Sequence, residues 1–197
     1  MNSKPRISSV LSVSLCLNLL FFLLPACQKL SRLAIAEDPF LAQEHLSRAA
    51  GYAQAGDWES AQAEYERATR LDERNPAAWL GLGNARRALG KPRPALKCYA
   101  KAHELSPGDA EALNQLALGY LELGKLEPAL SAADQAVALD GTNLPYYLST
   151  RGRVKLGQGD RAGAAQDLRA ALLQAPEEAE PLRQEIAELL KEAEAAP

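Results

Sequence analysis

The sequence predicts an all-α solenoid, a stack of about four helix pairs that ends in a capping helix. The first observation is a repeat, because Gly56, Gly90, Gly124 and Gly159 recur at steps of 34, 34 and 35 residues. The second is that alanines recur in the same register, and the third is an amphipathic segment near the C-terminus. A period of this length with small residues at fixed offsets is typical of helix pairs that stack on their neighbours.

Residues 1–26 have the layout of an export signal. Lys4 and Arg6 are their only charges, an uncharged apolar run fills positions 7–24, and a proline and an alanine follow. A basic start, an apolar run and a small residue in this order are typical of a signal peptide. The run is close to the roughly 18 residues that a membrane-spanning helix needs, so an uncleaved single-pass anchor stays open as the alternative.

The cysteine that follows this segment is a candidate lipidation site. Leu24-Pro25-Ala26-Cys27 resembles the lipobox of bacterial lipoproteins. The resemblance implies cleavage after Ala26 and acyl chains such as palmitate on Cys27, and more than one acyl chain holds a protein stably on a bilayer. Residues 27–41 would then be a lipidated tether, whereas in an uncleaved anchor Cys27 would be a plain thiol.

Each repeat is predicted to contain two helices joined by a turn that contains the glycine. The recurrent alanines mark places where the helices approach too closely for larger side chains, so we expect them to be packing residues. They are Ala61, Ala95, Ala129 and Ala164 in one register and Ala68, Ala102, Ala136 and Ala171 in the other. The larger apolar residues near them are expected to fill the space between helices: Tyr52, Tyr65, Trp79, Leu82, Tyr99, Leu113, Leu116, Tyr120 and Leu168.

The same offsets resemble the tetratricopeptide repeat (TPR) family over residues 42–178. The resemblance implies a right-handed α-α superhelix with repeats at 42–75, 76–109, 110–144 and 145–178. It also implies that the first helix of each repeat lines a concave groove, where a protein or peptide segment would lie. The inward positions transferred from the family are Leu46, Ala50, Leu80, Asn84, Arg87, Asn114, Leu118, Leu121, Ser149, Arg153 and Leu156.

Family members that clamp the carboxylate tail of a chaperone use lysines and asparagines at set inner positions. This chain has Leu46, Ala50 and Glu111 at positions expected to include them, so that ligand is not predicted.

The segment 179–197 is predicted to be a capping helix. Its apolar residues, Leu182, Ile186, Leu189, Leu190 and Ala193, share one helical face, with charges around the rest. A stack of helix pairs has an exposed apolar end, and a last helix with a polar outer face keeps it soluble.

The charge of the chain limits the class of partner. The formal net charge is −3, and cations and anions are mixed along the repeats. Nucleic acids and anionic membranes attract clustered Lys and Arg, so neither is predicted as the main partner.

No catalytic or metal site is predicted. His45 and His103 stand in different repeats without a cluster of ligand-type residues. Gly81 and Gly83 lack the third glycine of a dinucleotide loop and no strand precedes them, and Gly83 is instead predicted to lie at a tight helix crossing of the repeat. Cys98 has no identifiable base and is predicted to be a small packing residue. We therefore expect no enzyme activity, no cofactor and no small-molecule substrate.

These patterns favour a membrane-anchored TPR adaptor on the outer side of a bacterial membrane. Such a protein would hold a partner protein on its concave face during assembly of an envelope machine of the pilus or outer-membrane type. The lipid anchor and the repeats together resemble the pilotins of type IV pilus assembly and the accessory lipoproteins of outer-membrane protein insertion. Two alternatives stay open: a signal-anchored TPR protein that recruits envelope biosynthesis factors at the plasma membrane, and a regulatory subunit of an enzyme.

Overall fold

The computed structural model describes residues 39–139 and 143–195, and within these ranges the chain forms nine α-helices and no strand. The helices are α1 Pro39–Gln54, α2 Trp58–Leu71, α3 Pro76–Ala88, α4 Pro92–Leu105, α5 Ala110–Glu122, α6 Leu126–Ala138, α7 Leu144–Gln158, α8 Arg161–Gln174 and α9 Glu180–Glu194. The proposed signal, Cys27 and residues 28–38 of the tether lie outside the described residues, whereas Pro39 to Leu41 already belong to α1.

The helices are arranged as four pairs followed by α9, and the predicted all-α superhelical fold is confirmed. The two helices of each pair are joined at Gly56, Gly90, Gly124 or Gly159, whose φ angles are 77°, 70°, 67° and 82°. Glycine adopts this left-handed conformation without steric cost, so the glycine period marks the tight turns.

Helix starts follow from local chemistry. The side chains of Asp57, Asn75, Asp109 and Asp160 accept hydrogen bonds from backbone amides in the first turns of α2, α3, α5 and α8. These bonds satisfy donors that have no partner inside the helix.

The recurrent alanines are packing residues, as predicted. All eight are at most 1% exposed, and each helix packs mainly on its neighbours in sequence. Tyr65 and Tyr99 are buried beside them, but the expectation for Tyr52 is wrong, since it is 41% exposed. Arg86, which occupies the position of Tyr52 in the second repeat, contacts Glu66 of the first repeat. No described helix precedes α1, so Tyr52 has no equivalent neighbour to cover it.

The last helix caps the array. Leu182, Ile186 and Ala193 of α9 are buried in one cluster with residues of α8, and Arg161 donates hydrogen bonds to the carbonyl oxygens of Glu192 (2.6 Å) and Ala193 (3.4 Å). The C-terminal end of α9 is thereby fixed to the start of α8. None of the helices described here is long and apolar enough to cross a membrane.

Candidate functional site: the inner pocket

The first helices of the third and fourth repeats line a concave pocket of about 460 Å³. We call it the inner pocket. Its lining consists of Glu111, Asn114, Gln115 and Leu118 of α5, Tyr146, Ser149, Thr150 and Arg153 of α7, Leu182 and Glu185 of α9, and Arg87 and Asn143.

The pocket arises from the repeat itself. The four residues of α5 are spaced i, i+3, i+4 and i+7, which places them on one face of the helix. The four residues of α7 have the same spacing and stand at the equivalent positions of the next repeat. The inner pocket is therefore the inward stripe of two successive repeats, closed at one end by α9.

The amide groups in the pocket are incompletely hydrogen-bonded. Asn114 is only 5% exposed, and its Oδ1 has no hydrogen-bond partner among the described residues. Gln115 donates from Nε2 to a carboxylate oxygen of Glu111 at 2.6 Å, while its own Oε1 has no partner. Buried polar atoms without partners are unfavourable, so this pair of amides favours a ligand that completes their bonding.

Two guanidinium groups complete the polar lining. Arg87 lies 3.5 Å from the carboxylate of Glu122, and Arg153 lies 3.5 Å from that of Glu185. All four side chains are between 38% and 52% exposed, and ion pairs of this kind contribute little to stability. Both arginines are therefore available to donate to carbonyl or carboxylate oxygens of a ligand at small cost.

The structure brings five of the eleven predicted inward residues together. Arg87, Asn114, Leu118, Ser149 and Arg153 all line the inner pocket. Their role in binding stays a prediction.

The remaining predicted residues lie elsewhere. Leu80 is partly buried against the central core, and Leu121 lies beside Gly157. Asn84 is occupied, because its Oδ1 accepts a hydrogen bond of 3.0 Å from the Tyr99 hydroxyl. Burial raises the pKa of Tyr99 to about 12, so this hydroxyl keeps its proton. In the outer repeats, Leu46 and Leu156 pack against core clusters, and Ala50 is half-buried.

Several lining residues were not predicted. Tyr146 and Thr150 lie on the helical face of Ser149 and Arg153, so the helix period would have found them. Leu182 and Glu185 belong to the capping helix, which has no repeat register from which an inward position can be read. Tyr146 is 48% exposed and adds an aromatic surface to the polar lining.

The glycines, the cysteine and the histidine considered above as candidate chemical sites make structural contacts. A Cβ atom at Gly81 or Gly83 would clash with the ring of Tyr65 or Tyr99, so these glycines make room for aromatic rings. Cys98 is buried, and burial raises the pKa of its thiol. His45 pairs with Glu64 at 2.6 Å. Among the residues that the structure describes, no group of three His, Cys, Asp or Glu side chains is placed to hold a metal ion.

Comparison with protein families identifies the repeat. A model described as "TPR repeat" matches residues 51–90, and models described as "Tetratricopeptide repeat" match residues 76–119 and 110–143. Among curated proteins, the chain is 30% identical over 149 residues to "DnaJ protein P58IPK homolog B" of Oryza sativa subsp. japonica. That match covers 68% of this chain but only 31% of the rice protein.

Solved structures of low sequence identity share the fold. The structure described as the first TPR of Spaghetti (RPAP3) bound to an HSP90 peptide has a TM-score of 0.60 and 19% identity, over 64% of this chain and 98% of that one. The structure of PilF from Pseudomonas aeruginosa has a TM-score of 0.64 and 18% identity, and the match covers 80% of this chain and 78% of PilF. The Yersinia enterocolitica chaperone SycD, in complex with a peptide of the translocator YopD, has a TM-score of 0.54 and 23% identity. That match covers 59% of this chain and 93% of SycD.

The family models together cover residues 51–143, which include the turns at Gly56, Gly90 and Gly124, and the similar structures extend the same helix-pair architecture over most of the described residues. Residues 51–143 therefore consist of tetratricopeptide repeats.

Proposed function

We propose that this protein is an adaptor that binds a segment of a partner protein in the inner pocket. The observation that carries the proposal is the pocket itself, a concave site with two incompletely bonded amides, two weakly paired arginines and an exposed tyrosine. Amide and guanidinium groups match the carbonyl and carboxylate oxygens of a peptide, and the apolar side chains of Leu118 and Leu182 would contact its side chains.

Two structural neighbours support a peptide as the ligand. RPAP3 was solved with an HSP90 peptide and SycD with a peptide of YopD. Their identity to this chain is below 25%, so they support the mode of binding and not a particular partner.

We further propose that Cys27 is acylated and anchors the repeats to a membrane of the bacterial envelope, facing the periplasm or the exterior. The order of basic start, apolar run and lipobox supports this proposal. The work of the adaptor would then be assembly of an envelope machine of the pilus or outer-membrane type, holding a partner that meets the membrane at the same place.

Photo-crosslinking tests the binding site. We would replace Tyr146 in the inner pocket with a photoreactive residue, express the chain in its native cells, and use Leu173, an 87% exposed residue of α8, as the control position. A protein crosslinked at Tyr146 but not at Leu173 is the expected result. Crosslinking at Leu173 alone would contradict the proposal.

The dissociation constant of the captured partner then tests the contribution of the pocket arginines to binding. Arg87→Ala combined with Arg153→Ala is expected to weaken binding by roughly tenfold or more, since each removes a charged hydrogen-bond donor. The thermal midpoint should stay close to that of the parent because both ion pairs are exposed. Unchanged affinity would remove these arginines from the site.

Intact-mass analysis of the protein extracted from its native membrane tests the anchor. A polypeptide that starts at Cys27 and carries acyl mass is expected. A chain that starts at Met1 with an unmodified Cys27 would overturn lipidation and favour a single-pass anchor.

A further inference from the structure

Cations gather at one edge of the second repeat. Arg86, Lys91, Arg93 and Lys97, together with Gln62 and Pro94, line a second cavity of about 470 Å³ at the turn between α3 and α4. We call the four cationic residues the basic edge. None of the residues that line this cavity is acidic.

Most of this positive charge is uncompensated. Arg86 is paired with Glu66 at 3.1 Å. Lys91 donates to the neutral side chain of Gln62 at 3.0 Å. Within the described residues Arg93 and Lys97 form no ion pair or side-chain hydrogen bond, and both are exposed.

The comparison with the other repeats shows that this arrangement is particular to the second. The helices α2 and α8 begin at the aspartate caps Asp57 and Asp160, and α6 has Glu127 in its first turn. The first turn of α4 has neither an acidic residue nor a side-chain cap. Its cations therefore stand at the positive end of the helix dipole, where negative charge is favourable.

Charge is distributed unevenly over the molecule, because the cationic basic edge stands on a chain whose formal net charge is −3. Near a negatively charged surface such a body turns its basic side toward that surface. The composition of the whole chain hides this local excess, and so the membrane surface was not predicted as a main partner.

We propose that the basic edge binds the anionic phospholipid headgroups of the membrane to which the chain is anchored. The inference rests on the proposed anchoring at Cys27. The tether from Cys27 to the start of α1 spans roughly 40 Å at full extension, which holds the repeats close to the bilayer. Guanidinium and ammonium groups bind phosphate through charged hydrogen bonds. This contact orients the array on the membrane and fixes the direction in which the inner pocket faces.

Lysine acetylation on vesicles tests the proposal. The full chain is reconstituted into phosphatidylcholine vesicles with and without phosphatidylglycerol, and acetylation rates are read for each lysine by peptide mass spectrometry. Lys91 and Lys97 are expected to react at least about threefold more slowly on the anionic vesicles, since each cation near such a surface gains roughly a fivefold preference for it. Lys191, exposed on α9, is the internal reference and should change little. High salt should remove the protection by screening.

A pair of variants with the same change in charge separates the basic edge from general attraction. Arg93→Gln with Lys97→Gln should abolish the protection of Lys91. Arg169→Gln with Lys191→Gln, a pair of exposed cations on α8 and α9, should leave it intact. Equal protection of Lys91 in both variants, protection that survives high salt, or none on anionic vesicles would overturn the proposal. Protection on phosphatidylcholine vesicles after addition of inorganic phosphate would also overturn it, by assigning a soluble phosphate as the ligand.

The outcome is distinguishable from failure of the anchor. A chain that does not float with phosphatidylcholine vesicles has no working anchor. The basic edge is then tested by flotation with phosphatidylglycerol vesicles, which the Arg93→Gln and Lys97→Gln variant should lose and the control variant should keep. Partner binding in the inner pocket is measured without vesicles and stays independent of both results.

Discussion

At the residue scale, the fold depends on small residues that admit large ones. Gly83 is buried, and a Cβ atom added there would clash with the ring of Tyr99, so a methyl group could not be added without a shift of that buried ring. Gly81 has the same relation to Tyr65. The sequence predicted the tight crossing at Gly83 from the repeat register, because a position that recurs as a small residue reports a close approach of two helices.

The sequence could not predict which groove residues are free to bind. Asn84 and Asn114 were both predicted from the inward helix phase. The Oδ1 of Asn84 accepts a hydrogen bond from the Tyr99 hydroxyl, whereas the Oδ1 of Asn114 has no partner among the described residues. The difference depends on a side chain of another helix. A periodic pattern gives the direction of a residue on its own helix, but its partners depend on packing between helices.

At the scale of the elements, the sequence predicted the helix pairs and the capping helix, but not the ion pairs that join them. Asp167 of α8 is 5% exposed, and its carboxylate accepts hydrogen bonds from Arg151 (2.7 and 2.8 Å) and lies 2.8 Å from Lys155, both of α7. Burial alone would raise the pKa of Asp167, but the hydrogen bonds and charges of Arg151 and Lys155 outweigh it and lower that pKa. The cluster fixes the two helices of the fourth repeat to each other.

We expect Asp167→Asn to destabilise the protein at pH 7 by about 3 kcal/mol, because it leaves two cations without their buried partner. A carboxylate whose pKa is lower in the folded state than in the unfolded one stabilises the fold at pH values above its unfolded pKa of 3.8. This stabilisation is lost as the pH falls through the folded pKa. The deficit of the variant should therefore shrink below about pH 4. Urea unfolding at pH 7 and at pH 3 measures both quantities.

Asp134→Asn is the control for this change. Asp134 also pairs with Arg151, at 3.2 Å, but its side chain is 53% exposed. Its loss should cost less than about 1 kcal/mol at pH 7. A deficit for Asp167→Asn that is the same at pH 3 as at pH 7 would show that packing, and not the charge, is responsible.

At the scale of the whole molecule, the array is held together by contacts between successive helices. The contacts between the two helices of a repeat are more extensive than those between one repeat and the next. The repeat period predicted this order of stacking. It did not predict that α9 reaches the inner pocket, because the curvature of the stack, which brings Leu182 and Glu185 beside Arg153, depends on small rotations accumulated over the repeats.

This one-dimensional organisation predicts how damage at one end spreads. Ile186 is fully buried between α9 and α8, and Ile186→Ala is expected to destabilise the protein by about 2 to 5 kcal/mol through the cavity that it leaves. Because each repeat contacts only its neighbours, amide hydrogen exchange should lose most protection in α8 and α9 and least in α1 and α2. Glu188→Ala, an exposed position of the same helix, should leave exchange unchanged. An equal loss of protection in all helices after Ile186→Ala would show instead that the array unfolds as a single cooperative unit.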